Sequence, residues 1–125
     1  MRPSLQGDAI ATAFASAERP AALGPNNFEV IFAPAHHLFD GRYANNLWAL
    51  ESPDPMTKLV WDNAAIMSKG TMDELGLRDG AMVRLGKGDA EVEIPAYALP
   101  GHADHSITLN LGWGRSAAGR YGSVK

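Results

Sequence analysis

Apolar and polar positions change rhythm near residue 27. From residue 4 to residue 18, Leu5, Ala9, Ala13, Phe14 and Ala17 recur at helical spacing. Ser4 suits the N-cap, and Pro20 with the Gly24-Pro25 pair stops the helix. Its apolar face is narrow and rich in alanine, so such a helix is marginal by itself. Residues 1–26 are therefore expected to be a helix and linker, left over from something larger. Residues 27–125 are expected to be a domain of their own.

Beyond residue 27 the pattern breaks into short extended runs separated by glycine and proline. Strands are expected at residues 28–32, 46–51 and 58–61, then one short helix near 69–75 with Gly76 as its left-handed C-terminal cap. Residues 81–85 and 91–94 pair as a hairpin around Gly86-Lys87-Gly88-Asp89, with residues 97–99 continuing the second strand past Pro95. Residues 106–111 form the last strand. Trp48, Trp61, Phe28 and Phe32 are expected in the core, given their apolar neighbours. About six short strands and one small helix imply a mainly β fold that closes into a barrel, hiding its edges. No internal repeat at solenoid spacing is present.

Composition narrows the function classes. At 125 residues the chain suits one domain, large enough to bury a core without staples. It contains no cysteine, which excludes disulfides, thiol chemistry and iron–sulfur ligation by its own side chains. The net charge of -3 gives no broad basic footprint for nucleic acid. No apolar run approaches the ~20 residues of a membrane helix, so direct membrane insertion is not expected. No signal-peptide pattern is present; a signal of an exported parent protein would lie outside this chain.

One stretch is more specific. Trp61-Asp62-Asn63-Ala64-Ala65-Ile66-Met67-Ser68 leads into the short helix, Leu75-Gly76-Leu77-Arg78-Asp79-Gly80 follows, and Met82-Val83-Arg84-Leu85 is the next strand. This order resembles the signature of the molybdopterin-dinucleotide-binding domain, a double-psi β-barrel at the C-terminus of molybdopterin oxidoreductases. Pro100-Gly101-His102-Ala103 and Leu111-Gly112-Trp113-Gly114-Arg115 resemble further elements of that family. Two more stretches, Asp40-Gly41-Arg42-Tyr43-Ala44-Asn45-Asn46-Leu47-Trp48 and Leu50-Glu51-Ser52-Pro53-Asp54-Pro55-Met56-Thr57-Lys58-Leu59, resemble a narrower group. That group is the large iron–sulfur, molybdopterin-oxidoreductase-like subunit of bacterial alternative complex III. The resemblance covers about residues 28–122. It implies a double-psi β-barrel of about six strands with one short helix. It also implies a redox or electron-transfer parent, periplasmic or membrane-associated, whose other domains, iron–sulfur subunits and membrane subunits would be the partners. The narrower group keeps the fold without the cofactor.

Two readings of the site follow. In one, the module is a lid over molybdopterin guanine dinucleotide held mainly by another domain, and the cofactor performs the redox chemistry. In the other, the pocket is degenerate and the module is structural, with no cofactor. For the lid, the cofactor-binding candidates are Asn45, Asn46, Asn63 and Arg115: amide groups that donate and accept, and a guanidinium that forks onto phosphate. The bland alternatives are Asn side chains closing local turns, and a Gly112-Trp113-Gly114-Arg115 turn with Trp113 packed on the barrel. No catalytic residue is expected in this chain, and Ser68 and Thr71 read as helix caps. No metal site is expected either. His36-His37 and His102-Ala103-Asp104-His105 lack ligand spacing, and the latter reads as a solvent-exposed loop. An independent small enzyme is the poorest reading, since fold alone does not imply function.

Overall fold

A computed structural model describes residues 7–17, 21–116 and 119–121. The expected cap Ser4, the helix end from Glu18 to Pro20, and the tail beyond Tyr121 lie outside the described residues. The elements in order are α1 (Gly7–Ser16), β1 (Glu29–Pro34), α2 (Leu47–Glu51), β2 (Ala65–Met67), α3 (Lys69–Glu74), β3 (Met82–Lys87), β4 (Ala90–Ala98) and β5 (Ser106–Leu111).

The fold is mainly β. Five strands form one mixed sheet in the order β1-β5-β2-β4-β3. β1 runs parallel to β5, with Glu29 opposite Ser106 and Pro34 opposite Leu111. β2 runs parallel to β4 and antiparallel to β5. β3 and β4 form the expected hairpin, in register from Met82↔Pro95 to Lys87↔Ala90. The sheet is not closed: β1 and β3 are its edges, and the strands number five among the described residues, where about six in a closed barrel were expected.

Two of the differences have local causes. Residues 46–51 were expected to be a strand because of Trp48 and Leu50, but they form α2. The Asn46 side chain accepts a hydrogen bond from Trp48 N–H and caps the helix, which outweighs the β-propensity of a single Trp. Trp48 consequently leaves the core and is 82% exposed, while Leu50 is buried. Residues 58–61 are not a strand either, because Lys58 and Trp61 both take left-handed backbone (φ 64° and 57°). β2 was not expected as a strand. Its three residues are buried on both faces and therefore show no polar alternation. Phe32, also expected in the core, is 65% exposed on the edge strand β1, whereas Phe28 packs against the main cluster.

That cluster joins Ala65 and Met67 of β2, Met72 of α3, Ile94 and Ala96 of β4 and Ile107 of β5. α3 is fixed at both ends. Ser68 caps its start, its side chain accepting from Thr71 N–H. At its end, Leu77 N–H donates to Met72 O (2.8 Å) and Gly76 N–H to Asp73 O (3.1 Å), which is a Schellman cap. Leu77 and Met72, the pair that this motif brings into apolar contact, both belong to the main cluster.

The chain then turns at Asp79-Gly80 and clamps onto β4. Asp79 Oδ1 accepts from Ala98 N–H (2.7 Å), Gly80 N–H donates to Ala96 O (2.9 Å), and Ala96 N–H donates to Ala81 O (2.8 Å). Gly80 has φ 80°, with no atom within 4 Å of where a Cβ would sit. A substitution there is strained by backbone alone. Gly80→Val should cost about 1–3 kcal/mol, and Gly80→Asn clearly less, because Asn tolerates left-handed backbone. Denaturant midpoints of the three proteins check this; a Val variant as stable as the parent would rule out the strain.

Candidate functional site

The candidate residues sit where the long loop between β1 and β2 meets the segment after β5. A second, smaller core anchors this layer: Ala35, Leu38 and Leu50 are buried, with Trp61 and Trp113 packed against them. The loop opens with a short reversal in which Ala35 and Phe39 exchange backbone hydrogen bonds (2.9 and 2.8 Å). Asp40 then accepts from the Arg42 guanidinium at both oxygens (3.0 and 2.8 Å), and that guanidinium stacks 4.8 Å over the Phe39 ring. The Arg42 hydrogen bonds hold the exposed Asp40 carboxyl well below the usual carboxylate range.

Two of the four candidates tie loop and tail together, and a third ties the loop to β5. Arg115 Nη2 donates to Asp40 O (2.9 Å). Asn45 Oδ1 accepts from Tyr121 N–H (2.9 Å). Asn63 Nδ2 donates to Asn110 O (2.9 Å), and its Oδ1 accepts from Ala64 N–H (3.0 Å). Asn46 is used locally, as the cap of α2 (3.1 Å to Trp48 N). The tail comes close because Gly112, with φ 103°, lies against Gly41 and Leu38. The glycine at 41, with φ 94°, in turn leaves room for the Arg115 guanidinium. Trp113 stands edge-on to His37, ring centroids 6.1 Å apart at 75°.

Sequence reasoning passed over one buried polar group in this layer, Asp54, and weighed another, His37, only to set it aside. Asp54 is 4% exposed. One of its oxygens accepts from Met56 N–H (2.9 Å), Thr57 N–H (2.8 Å) and the Thr57 hydroxyl (3.0 Å). Burial pushes this carboxyl up, but those three bonds and the His36 charge outweigh it and hold it below its ordinary value. An Asp-x-x-Thr spacing after proline was the available signal, since Asp and Thr side chains close such turns. The same loop is pinned to the sheet by the Tyr97 hydroxyl, which donates to Thr57 O (2.9 Å). The other group is His37, whose two ring nitrogens are buried without a hydrogen-bond partner among the described residues. Burial lowers its pKa; the Asp54 charge opposes this and the His36 charge adds to it.

The turn at residues 102–105, expected to be a solvent-exposed loop, has Ala103 and Asp104 exposed and His102 and His105 half-buried, and it is docked onto α3. The Ser68 hydroxyl donates to the Asp104 carboxylate. His105 N–H donates to Thr71 Oγ1 (2.9 Å), and its Nε2 pairs with Glu74 Oε2 (2.8 Å). His102 Nε2 shares a hydrogen bond with Thr108 Oγ1 (2.9 Å). These groups fasten the approach to β5 onto α3. Among the described residues, no three His, Asp or Glu side chains are grouped to hold a metal, and no helix is long and apolar enough to cross a membrane.

Compared with models of known protein families and with characterised proteins, the sequence matches none of them.

Proposed function

We propose that this chain is the C-terminal module, of the molybdopterin-dinucleotide-binding type, of a molybdopterin oxidoreductase. In this reading its sheet is a double-psi β-barrel left open on one side. The module is structural and makes contacts with the other domains, iron–sulfur subunits and membrane subunits of a bacterial respiratory complex. It performs no catalysis of its own. The observation that carries the reading is the behaviour of Leu75-Gly76-Leu77-Arg78-Asp79-Gly80. The six residues act as one unit: they cap α3, carry Leu77 to the core, clamp β4 through Asp79 and start β3. The two parallel pairings, β1 with β5 and β2 with β4, joined through an antiparallel contact, support the barrel reading.

The structural role, as against a cofactor lid, is supported by how the rim polar groups are used. Asn45, Asn63 and Arg115 bind the chain's own backbone, and Asn46 caps its own helix. The lid reading keeps one support: Nε and Nη1 of Arg115 and Nδ2 of Asn45 and Asn46 make no hydrogen bond among the described residues, so they remain available to a phosphate or guanine. Titration calorimetry with molybdopterin guanine dinucleotide, and separately with its guanine nucleotide half, decides between the two. The expected result is no binding at micromolar ligand, since a lone module offers part of a contact surface and association carries its own entropy cost. Micromolar binding lost in Asn46→Ala or Arg115→Ala would instead establish the lid.

A further inference from the structure

The open side of the sheet is an apolar cleft of about 910 Å³ between the edge strands β1 and β3, its walls including Val30, Phe32, Leu77, Leu85, Val92 and Leu109. It contains none of the rim candidates and does not depend on the cofactor question. β1 is an edge strand with Val30, Ile31 and Phe32 all exposed. An apolar edge of this kind is a surface that proteins cover.

The same chain carries a second uncovered surface. α1 is 10 residues long and buries none of them. Ile10 and Phe14 lie one turn apart on one face, with Ala9, Ala13 and Ala17 beside them, while Asp8, Thr12 and Ser16 form the opposite stripe. Phe14 is 78% exposed. A helix of this length is marginal in water without tertiary packing, so its apolar face needs a partner that its own chain does not supply. The chain exposes 9152 Å², against roughly 6,500 Å² for a closed monomer of its mass. The surplus is about three times the ~800 Å² each partner contributes to a standard interface.

We infer that the cleft receives α1 of a second copy of this chain, in a reciprocal two-fold dimer. One unpartnered apolar helix and one unpartnered apolar cleft on every chain form a self-complementary pair, and exchange of one element between copies closes both at once. A helix lays its apolar face into a groove of this kind with anchors at i and i+4, as Ile10 and Phe14 are spaced. The charges agree. Asp8, the single charged residue of α1, lies on the polar stripe, so the face that enters the cleft carries no charge to bury, and at the hairpin end of the cleft Arg84 is already held by Glu91 and Glu93.

Light scattering of the chain after size exclusion tests this. The expected mass is twice that of one chain at tens of micromolar. Phe14→Asp and, separately, Val92→Asp should each weaken the dimer at least tenfold. Both positions are exposed, so far-ultraviolet circular dichroism and melting of the sheet should be retained; a monomer with an intact melt then reports the interface alone. The absence of cysteine makes a second test clean. Phe14→Cys and Val92→Cys proteins, mixed and oxidised, should give a disulfide between unlike copies. A monomeric parent chain would overturn the inference. So would a dimer unchanged by both Asp variants, or a Phe14→Cys/Val92→Cys double variant that closes only within one chain.

Discussion

Gly112→Ala should destabilise the protein by about 2–4 kcal/mol, the sum of a left-handed backbone penalty of about 1–2 kcal/mol and a similar cost of overpacking. At φ 103° an alanine is strained, and its Cβ would lie 3.0 Å from Gly41 N and 3.1 Å from Leu38 Cβ. Neither neighbour can swing aside: one is backbone, and the other belongs to a side chain buried in the second core. Gly114→Ala is the control. It has φ 74° with nothing within 4 Å of a Cβ, so only the backbone penalty applies. Thermal melts should show a loss of roughly 10–20 °C at position 112 and about half of that at 114. Equal losses would show that the close approach of tail and loop is not what holds this layer together.

Asp54→Ala should cost about 2–3 kcal/mol, because two backbone N–H groups and a hydroxyl lose a charged acceptor inside a buried turn. Asp54→Asn, which keeps one acceptor oxygen, should lose roughly half as much. The pH dependence has a definite sign. The folded-state pKa of Asp54 lies below its unfolded value. Its contribution is therefore fully present above about pH 4 and is lost as pH falls through the folded value. His37 acts in the same direction in a higher window. Burial lowers its pKa, so the unfolded chain takes up the proton first. Its contribution is whole above about pH 6.5 and declines as pH falls from there through the folded value. Urea midpoints across pH should thus fall in two stages. His37→Phe should flatten the upper stage and leave the lower one, and it should not destabilise at neutral pH, since it removes two buried nitrogens that have no partner among the described residues. A variant with an unchanged slope near pH 6 would assign that stage to other groups.

Much of the sheet was legible because its signals are local. The runs at residues 28–32 and 106–111 are apolar and β-branched, and β1 and β5 form over them. The hairpin follows from a glycine-rich loop between two alternating segments, though its strands run on through Lys87 and Ala90, so the turn is two residues long where the four residues 86–89 were expected. The short helix and its Gly76 cap were read from the same kind of evidence, a polar N-cap at one end and a glycine at the other. What failed also has a common cause. β2 shows no alternation because all three of its residues are buried, and the strands that pair with it lie more than 25 residues away in sequence. Residues 46–51 carried the composition of a strand, yet one asparagine at the start and a backbone bond from Ser52 N–H to Trp48 O decided for a helix turn.

The site divides in the same way. That residues 34–46 and 112–115 are polar, glycine-bearing loops was plain from the sequence, and so was the chemistry of Asn45, Asn46, Asn63 and Arg115. Their partners were not. Three of those partners are backbone atoms of distant segments, and backbone atoms carry no sequence signature. The sequence by itself determined the mainly β class, the hairpin, the last strand, the capped α3 and the absence of thiol chemistry, because each rests on neighbours within a few positions. Only the tertiary structure decided the strand order, the buried β2, the open edge between β1 and β3, and the direction in which each rim side chain points. Those depend on which far segments meet, and that is settled by packing the whole chain at once.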